Sequence, residues 1–205
     1  MPGVYHEGSR HFQDRFDTRR LADRIDERLV GDEIDDDDRA FIERMDMFFL
    51  ATADGEGRPT CSYKGGDPGF VRVLDRHTIA FPSYDGNGMY LSMGNLRVNP
   101  AVGLLFIDFD RRRRMRLEGV ASIDEHDPLQ AEYPEAQFVV RVRATRVYPN
   151  CPRYVHHMQL LERSRFVPHS DCETPVPAWK QREWSRDVLP AADPAADPAR
   201  ETLDA

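Results

Sequence analysis

Small and polar side chains are concentrated in two stretches of the chain, PTCSYKGG (59–66) and the longer stretch Phe81–Ile107. The candidate residues are Ser62, Lys64, Gly65, Ser83, Tyr84, Asn87, Gly88, Ser92 and Asn95. A phosphomonoester carries nearly two negative charges and several acceptor oxygens, so proteins bind it with a cation, hydroxyls and backbone N–H groups together. Lys64 supplies the cation and Ser92 a hydroxyl. The pattern therefore predicts a phosphate site; the alternative is a solvated loop, for which the same residue types are typical.

Strands are predicted on both sides of these residues. The apolar run MFFLATA (47–53) ends at a Gly-containing turn, and the chain resumes as a strand at Thr60–Lys64, which indicates an antiparallel hairpin. Further strand patterns are Phe70–Leu74, Thr78–Phe81, Val102–Asp108, Arg114–Ile123 and Phe138–Tyr148. About six or seven strands of this kind favour a small barrel. One short helix, stopped by Asn99 and Pro100, interrupts them.

Residues 1–44 form a predicted N-terminal helical extension. Phe12 and Phe16 are four residues apart, and Leu21, Ile25 and Leu29 repeat the spacing in a second segment. Helices this polar must lay their apolar stripe on the barrel or on a partner subunit. The four aspartates at 35–38 are interpreted as the N-terminus of a further helix, where negative charge is favourable, and not as a metal site.

The pattern weakens beyond the predicted barrel domain, residues 45–160. A turn at 149–154 leads into a predicted helix that ends at Leu161. Residues 161–190 are predicted to be a docking segment, in which Trp179 and Trp184 either pack for buried area or cover a ligand. The repeat AADPAADPA places a disordered tail at 191–205.

The composition argues against several classes of binding partner. The 205 residues are 40% hydrophobic and 31% charged, with a formal charge of −8, which argues against nucleic acid or an acidic membrane surface as a partner. No apolar run approaches the roughly 20 residues of a membrane span, and no signal-peptide pattern is seen, so a cytoplasmic location is expected. The three cysteines lack CxxC spacing and the adjacent His156 and His157 point to different helix faces, so no metal site is predicted.

Three stretches carry a family resemblance: FFLATADGEGRPTCSYKGG, DRHTIAFPSYDGNGMYLSMGNLRVNPAVGLLFIDF and RRMRLEGVASI. They resemble the FMN-binding split barrel of the pyridoxamine 5′-phosphate oxidase-like proteins, over roughly residues 40 to 160. The resemblance implies a mainly β fold, an antiparallel split β-barrel with N-terminal and C-terminal helices. It also implies FMN as cofactor and a homodimer with the flavins at the interface.

The resemblance also implies roles for individual residues. Ser62 and Lys64 stand in the strand that contacts the flavin phosphate and ribityl chain, and Ser92 stands where the helix contacts the phosphate, with Asn95 one turn on. The loop contacts correspond to Ser83, Tyr84, Asn87 and Gly88. Gly65 directly follows the strand that carries Ser62 and Lys64. Arg114 is the match for a side chain donated to the flavin of the opposite subunit. No catalytic residue is assigned.

The expected function is an FMN-dependent oxidoreductase that transfers hydride through flavin N5 to or from a small molecule, with NAD(P)H as reductant. The alternative is a flavin- or haem-binding protein without turnover, and a deazaflavin is an alternative to FMN. The oxidases proper have Arg where Ser62 stands and Lys where Ser92 stands, and their C-terminal substrate signature is only loosely echoed at 184–190. These departures argue against pyridoxamine phosphate as the substrate.

Overall fold

A seven-stranded antiparallel sheet forms the body of the protein in a computed structural model that describes residues 4–204. The first three residues of the predicted extension and the last residue of the predicted tail lie outside this range. The strands are β1 Met47–Ala53, β2 Pro59–Gly65, β3 Arg72–Asp75, β4 Thr78–Ser83, β5 Ala101–Asp108, β6 Arg113–Asp124 and β7 Phe138–Pro149. Their order is β2-β1-β5-β6-β7-β4-β3, so β2 and β3 are the two edges of the sheet. The predicted antiparallel split barrel is confirmed.

The core fills the inside of this curved sheet, because one side of nearly every strand is apolar. Along β5 buried and partly exposed residues alternate, which is the period of a strand with one covered face. At the centre the Phe48 ring lies 5.0 Å from the ring of Phe81 and 5.3 Å from that of Phe106, measured between centroids. All three side chains are fully buried. Aromatic burial of this kind contributes much of the stability of a small barrel.

A bulge bends β6 where it pairs with β7. The pairing register of the two strands shifts between Glu118 and Gly119. A Cβ atom on Gly119 would lie only 2.4 Å from the carbonyl oxygen of Arg143 and 2.7 Å from Val142 Cγ1. The absence of a side chain lets the neighbouring backbone approach this closely, which curves the sheet toward closure.

Four helices of eight or more residues accompany the sheet: α1 Glu7–Arg15, α2 Arg19–Leu29, α3 Asp36–Glu43 and α4 Leu91–Val98. The Asp35 carboxylate accepts a hydrogen bond from the backbone N–H of Asp38 at 2.8 Å and so caps α3. The next three aspartates occupy its first turn, where the sequence predicted a helix start. None of the helices among the described residues has the length and apolar character required to cross a bilayer.

The C-terminal segment differs from the prediction in two places. Residues 150–175 form neither helix nor strand, so the helix expected to end at Leu161 is wrong. Met158 and Leu160 line a cavity, and the backbone N–H of Met158 donates to the Phe109 carbonyl at 3.3 Å instead of to a carbonyl within a helix. Residues 191–204 were expected to be disordered, but they contain a 3₁₀ turn, Pro194–Ala196, and β9, Thr202–Leu203, which pairs in parallel with β8, Val176–Pro177. A short helix, α5 Glu183–Arg186, lies between.

Candidate functional site

Two cavities meet where β2 and β4 end. The smaller has a volume of about 240 Å³ and the larger about 790 Å³. Lys64, Ser83, Tyr84 and Gly86 line both, so the cavities are neighbouring parts of one depression. The larger volume lies within the range of small-molecule sites, about 300–1,000 Å³, and the smaller is of a size for a polar group attached to such a molecule.

The smaller cavity is floored by polar residues of β2. Side chains alternate along a strand, so Thr60, Ser62 and Lys64 share one face, and all three are partly covered. Ser62 Oγ lies 2.5 Å from Ser92 Oγ on α4, which joins the strand to the helix through a pair of hydroxyls. Each hydroxyl has one proton and two acceptor sites, so the pair retains hydrogen-bonding capacity toward the cavity.

The N-terminus of α4 opens onto the same cavity. Its N-cap residue, Tyr90, has a left-handed backbone with φ 47°, and no side chain caps the helix. Gly88, with φ 74°, makes the preceding turn possible. The first N–H groups of an α-helix have no partner within the helix and lie at the positive end of its dipole. Since Leu91 and Ser92 line the cavity, these donors are available to an anion there.

Lys64 is the cation of the site. Burial lowers the pKa of its ammonium group, because desolvation disfavours the charged form. Within residues 4–204 no carboxylate oxygen lies within 4.0 Å of Lys64 Nζ. A partly buried cation with no counter-ion has a desolvation cost that an anionic ligand would offset. Lys64 and the helix terminus therefore both predict an anion in the smaller cavity.

The larger cavity is mainly apolar with charged pairs at its rim. Its apolar and aromatic lining includes Met45, Met47, Tyr63, Phe70, Ile107, Phe109, Met158, Leu160, Phe166 and Val167. Arg44 donates to Asp108 at 3.0 Å. Burial opposes ionisation of Asp108, but hydrogen bonds from the Arg111 backbone and the Arg44 guanidinium outweigh it and lower the pKa of this carboxyl. Burial raises the pKa of the Tyr63 and Tyr84 phenols, which therefore remain protonated at neutral pH.

The structure brings together all of the predicted residues except two. Seven line the smaller cavity, namely Ser62, Lys64, Ser83, Tyr84, Asn87, Gly88 and Ser92, and Gly65 lines the larger one. Asn95 instead donates to Thr52 Oγ1 at 3.0 Å and Thr60 Oγ1 at 3.2 Å, which fastens α4 to the hairpin. Arg114 donates to the carbonyl of Cys151 at 2.9 Å and lines neither cavity. Its role toward a partner subunit stays a prediction.

Lys180 is not among the residues predicted from the sequence, yet its ammonium reaches the loop that follows β4. Lys180 is buried and donates to Asp85 Oδ2 at 2.7 Å. A signal was present in the composition, because the chain contains two lysines, Lys64 and Lys180, beside 26 arginines. Trp179 and Trp184 stack on each other with centroids 5.8 Å apart and line neither cavity. Among the residues described, no group of three or more His, Cys, Asp or Glu could hold a metal ion.

An open seven-stranded antiparallel barrel with a helix between β4 and β5, and with a cavity at the start of that helix, is the architecture of the split-barrel class. Residues 34–155 match the family model described as pyridoxamine 5′-phosphate oxidase, and the chain belongs to this family. A search of curated protein sequences gave no significant match.

Solved structures with a similar chain path share little sequence. HupZ of group A Streptococcus is 17% identical, with coverage of 62% of this chain and 99% of that chain and a TM-score of 0.47. HutZ, the haem storage protein of Vibrio cholerae, is 18% identical, covering 57% and 94%, with a TM-score of 0.42. An FMN-binding protein from Syntrophomonas wolfei is 13% identical, covering 69% and 97%, with a TM-score of 0.41. Likenesses this weak say nothing about what this chain binds.

Proposed function

We propose that this protein is an FMN-dependent oxidoreductase that acts on a small molecule, with NAD(P)H as the expected reductant. The observation that carries the proposal is Lys64, a partly buried cation without a counter-ion, at the junction of a phosphate-sized cavity and a larger apolar one. Membership of the pyridoxamine 5′-phosphate oxidase family supports the same conclusion. FMN has a phosphate at one end and a large flat ring at the other, which matches this pair of cavities.

The residues of the site would divide the binding of FMN between them. Lys64, the hydroxyls of Ser62 and Ser92, and the N-terminus of α4 would hold the phosphate. The apolar lining of the larger cavity would receive the ring and exclude water from one side of it. When bound, FMN supplies the hydride-accepting N5, while the protein supplies binding, orientation and electrostatics. Because the flavin would supply the reacting atom, no acid–base pair of side chains is needed, and no catalytic residue was predicted from the sequence.

The proposal is tested by the visible spectrum of the purified protein and by titration of the ligand-free protein with FMN. Uptake of FMN, followed by anaerobic bleaching with NADH or NADPH, is the expected result. Binding of FMN without reduction by any pyridine nucleotide would favour a flavin-binding protein without turnover. Protein that takes up haem or a deazaflavin in preference to FMN, or that takes up no flavin, would contradict the cofactor assignment.

Removal of one hydroxyl gives a first prediction. The Ser92→Ala variant is expected to bind FMN about tenfold more weakly, because one hydrogen bond to a charged phosphate is lost. The Kd is measured by fluorescence titration of FMN. Ser122→Ala, which removes an exposed hydroxyl on β6, is the control and should leave the Kd unchanged. Equal affinities of the Ser92→Ala variant and the wild type would remove Ser92 from the site.

A second prediction concerns assembly, since we also propose a homodimer. Phe16 and Leu21 of the N-terminal extension are 67% and 61% exposed, and Phe12 and Leu29 are 59% and 49% exposed. A surface of this kind is typical of a protein interface. The wild type should sediment as a dimer in analytical ultracentrifugation, and Leu21→Asp should shift it toward the monomer. A wild-type monomer with FMN bound would contradict the proposal.

A further inference from the structure

The loop between β4 and α4 is fixed at several points by residues distant in sequence. Residues 84–90 make up this loop, and Tyr84 lines both cavities while Asn87 and Gly88 line the smaller one. Gln137, just before β7, donates its backbone N–H to the Ser83 carbonyl at 2.8 Å. Its side chain accepts from the Tyr90 hydroxyl at 3.0 Å and lies 3.4 Å from Asp85 Oδ1. Gln137, which directly precedes β7, therefore contacts both ends of the loop.

From outside, the C-terminal segment contacts the same loop through Lys180. The ammonium donates to Asp85 Oδ2 at 2.7 Å and to Asp193 Oδ2 at 2.8 Å. The side chains of Lys180 and Asp193 are only 4% and 6% exposed, whereas that of Asp85 is half exposed. Burial alone would lower the pKa of Lys180, but the hydrogen bonds from its ammonium to Asp193 and Asp85 outweigh it and raise this pKa. Lys180 is thus a charged group that two carboxylates keep ionised inside the protein.

The residues around Lys180 form a compact unit of their own. Ser185 Oγ donates to the Trp179 carbonyl at 2.6 Å, and Gln181 Nε2 donates to the Ala195 carbonyl at 3.0 Å. The pairing of β8 with β9 holds the chain ends of this unit together. Asp193 belongs to the unit and Asp85 does not. Lys180 therefore has one partner within the C-terminal segment and one on the loop that lines the cofactor cavities.

We propose that the C-terminal segment positions the cofactor loop through the contact of Lys180 with Asp85, which we call the latch. The proposal rests on the proposed function for the identity of the ligand, and it adds Lys180 as a positioning residue that lines neither cavity, whereas Asp85 itself lines the larger one. With the latch closed, residues 84–90 are held in the arrangement that lines the phosphate cavity. With the latch open, the loop must be ordered when FMN binds, and the affinity falls accordingly.

The variant that tests the latch is Asp85→Ala. Substitution of Lys180 would leave Asp193 buried without a counter-ion and could unfold the segment. Asp85→Ala leaves the Lys180–Asp193 pair intact, so the segment is expected to stay folded. The matched control is Glu201→Gln. Like Asp85, Glu201 is a half-exposed carboxylate in an ion pair, but its partner, Arg165, lies within the C-terminal segment.

Two measurements decide the proposal. In ligand-free protein the amides of residues 84–90 should exchange hydrogen about tenfold faster in Asp85→Ala than in the wild type or in Glu201→Gln. The Kd for FMN should rise about tenfold in Asp85→Ala alone, and bound FMN should slow exchange around Lys180 in the wild type, because coupling between two sites is reciprocal. Unchanged loop exchange in Asp85→Ala would overturn the latch. Wild-type protein that binds no FMN would overturn the proposed function, and the ligand-free exchange rates would then decide the latch alone.

Discussion

Replacement of Lys64 by methionine is expected to weaken FMN binding about 100-fold and at the same time to raise the melting temperature of the ligand-free protein. The first effect follows because the substitution removes the cation nearest the proposed phosphate, and a charge-assisted contact of this kind contributes about 3 kcal/mol at most. The second follows because Lys64 is partly buried without a counter-ion, so the folded protein loses an unfavourable charge. Methionine retains the length and the apolar part of the side chain.

The same variant has a defined dependence on pH. The pKa of Lys64 in the folded protein is lowered from its ordinary value of 10.5, so the unfolded chain binds more protons at this residue. Stability of the wild type therefore rises as the pH increases from the folded pKa toward 10.5. The difference in melting temperature between Lys64→Met and the wild type should accordingly be greatest at low and neutral pH, shrink as the pH rises through the folded pKa, and be smallest above 10.5.

The control for Lys64 is Arg97→Met, which removes one positive charge from the exposed face of α4. It changes the net charge equally and should alter the FMN Kd and the melting temperature little. If Lys64→Met lowered affinity and stability together, the residue would be a structural one, and the phosphate would have to be bound elsewhere. A loss of FMN affinity together with a gain in melting temperature is what we expect of a residue that binds the ligand at a cost to the stability of the ligand-free protein.

The Gly119→Ala variant is expected to destabilise the barrel by about 3 kcal/mol, the upper range for overpacking a core. The added methyl group would meet the carbonyl oxygen of Arg143 at 2.4 Å, and a backbone atom in a paired strand cannot move aside as a side chain can. In a chain of this size the loss corresponds to a fall in melting temperature of about 10 °C. Thermal unfolding followed by circular dichroism measures it.

Gly103→Ala on the neighbouring strand β5 is the matched control for Gly119. There the nearest atom to an added Cβ is Ala51 Cβ at 3.8 Å, an ordinary contact. Alanine also restricts the unfolded chain more than glycine, so Gly103→Ala should be neutral or slightly stabilising. Equal melting temperatures for the two variants would show that β6 can relax at Gly119 and that the bulge does not depend on the missing side chain.

The sequence allowed the barrel to be predicted because its signals are local. The run Met47–Ala53 and the alternation along β6 depend on neighbouring residues, and they define strands whatever the rest of the chain does. The clustering of Ser62, Lys64 and Ser92 at one cavity was predictable for a related reason. Ser62 and Lys64 have the two-residue spacing that places side chains on one face of a strand, and Ser92 lies in the first turn of the helix that follows the loop.

The remaining features depend on contacts between distant parts of the chain. Lys180 and Asp85 are 95 residues apart, and no local pattern connects them. Residues 150–175 form neither helix nor strand, and the backbone N–H of Met158 donates to the Phe109 carbonyl outside the segment, a contact that a helix prediction from local sequence does not take into account. The tail has a polar, repetitive composition, yet Asp193 is ordered because a buried lysine requires its charge. For Arg114 the expected partner is a second subunit, which one chain does not contain.

The scarcity of lysine in this chain has a chemical consequence. Only two side chains carry an amine, and their surroundings are opposite: Lys64 has a lowered pKa beside an open cavity, and Lys180 is enclosed and held as an ammonium ion. Acylating reagents attack the neutral amine, so among the side chains they distinguish these two without any engineered label. If FMN binds as proposed, it should therefore protect Lys64 from acylation, and the modified fraction of Lys64 should fall as FMN is added.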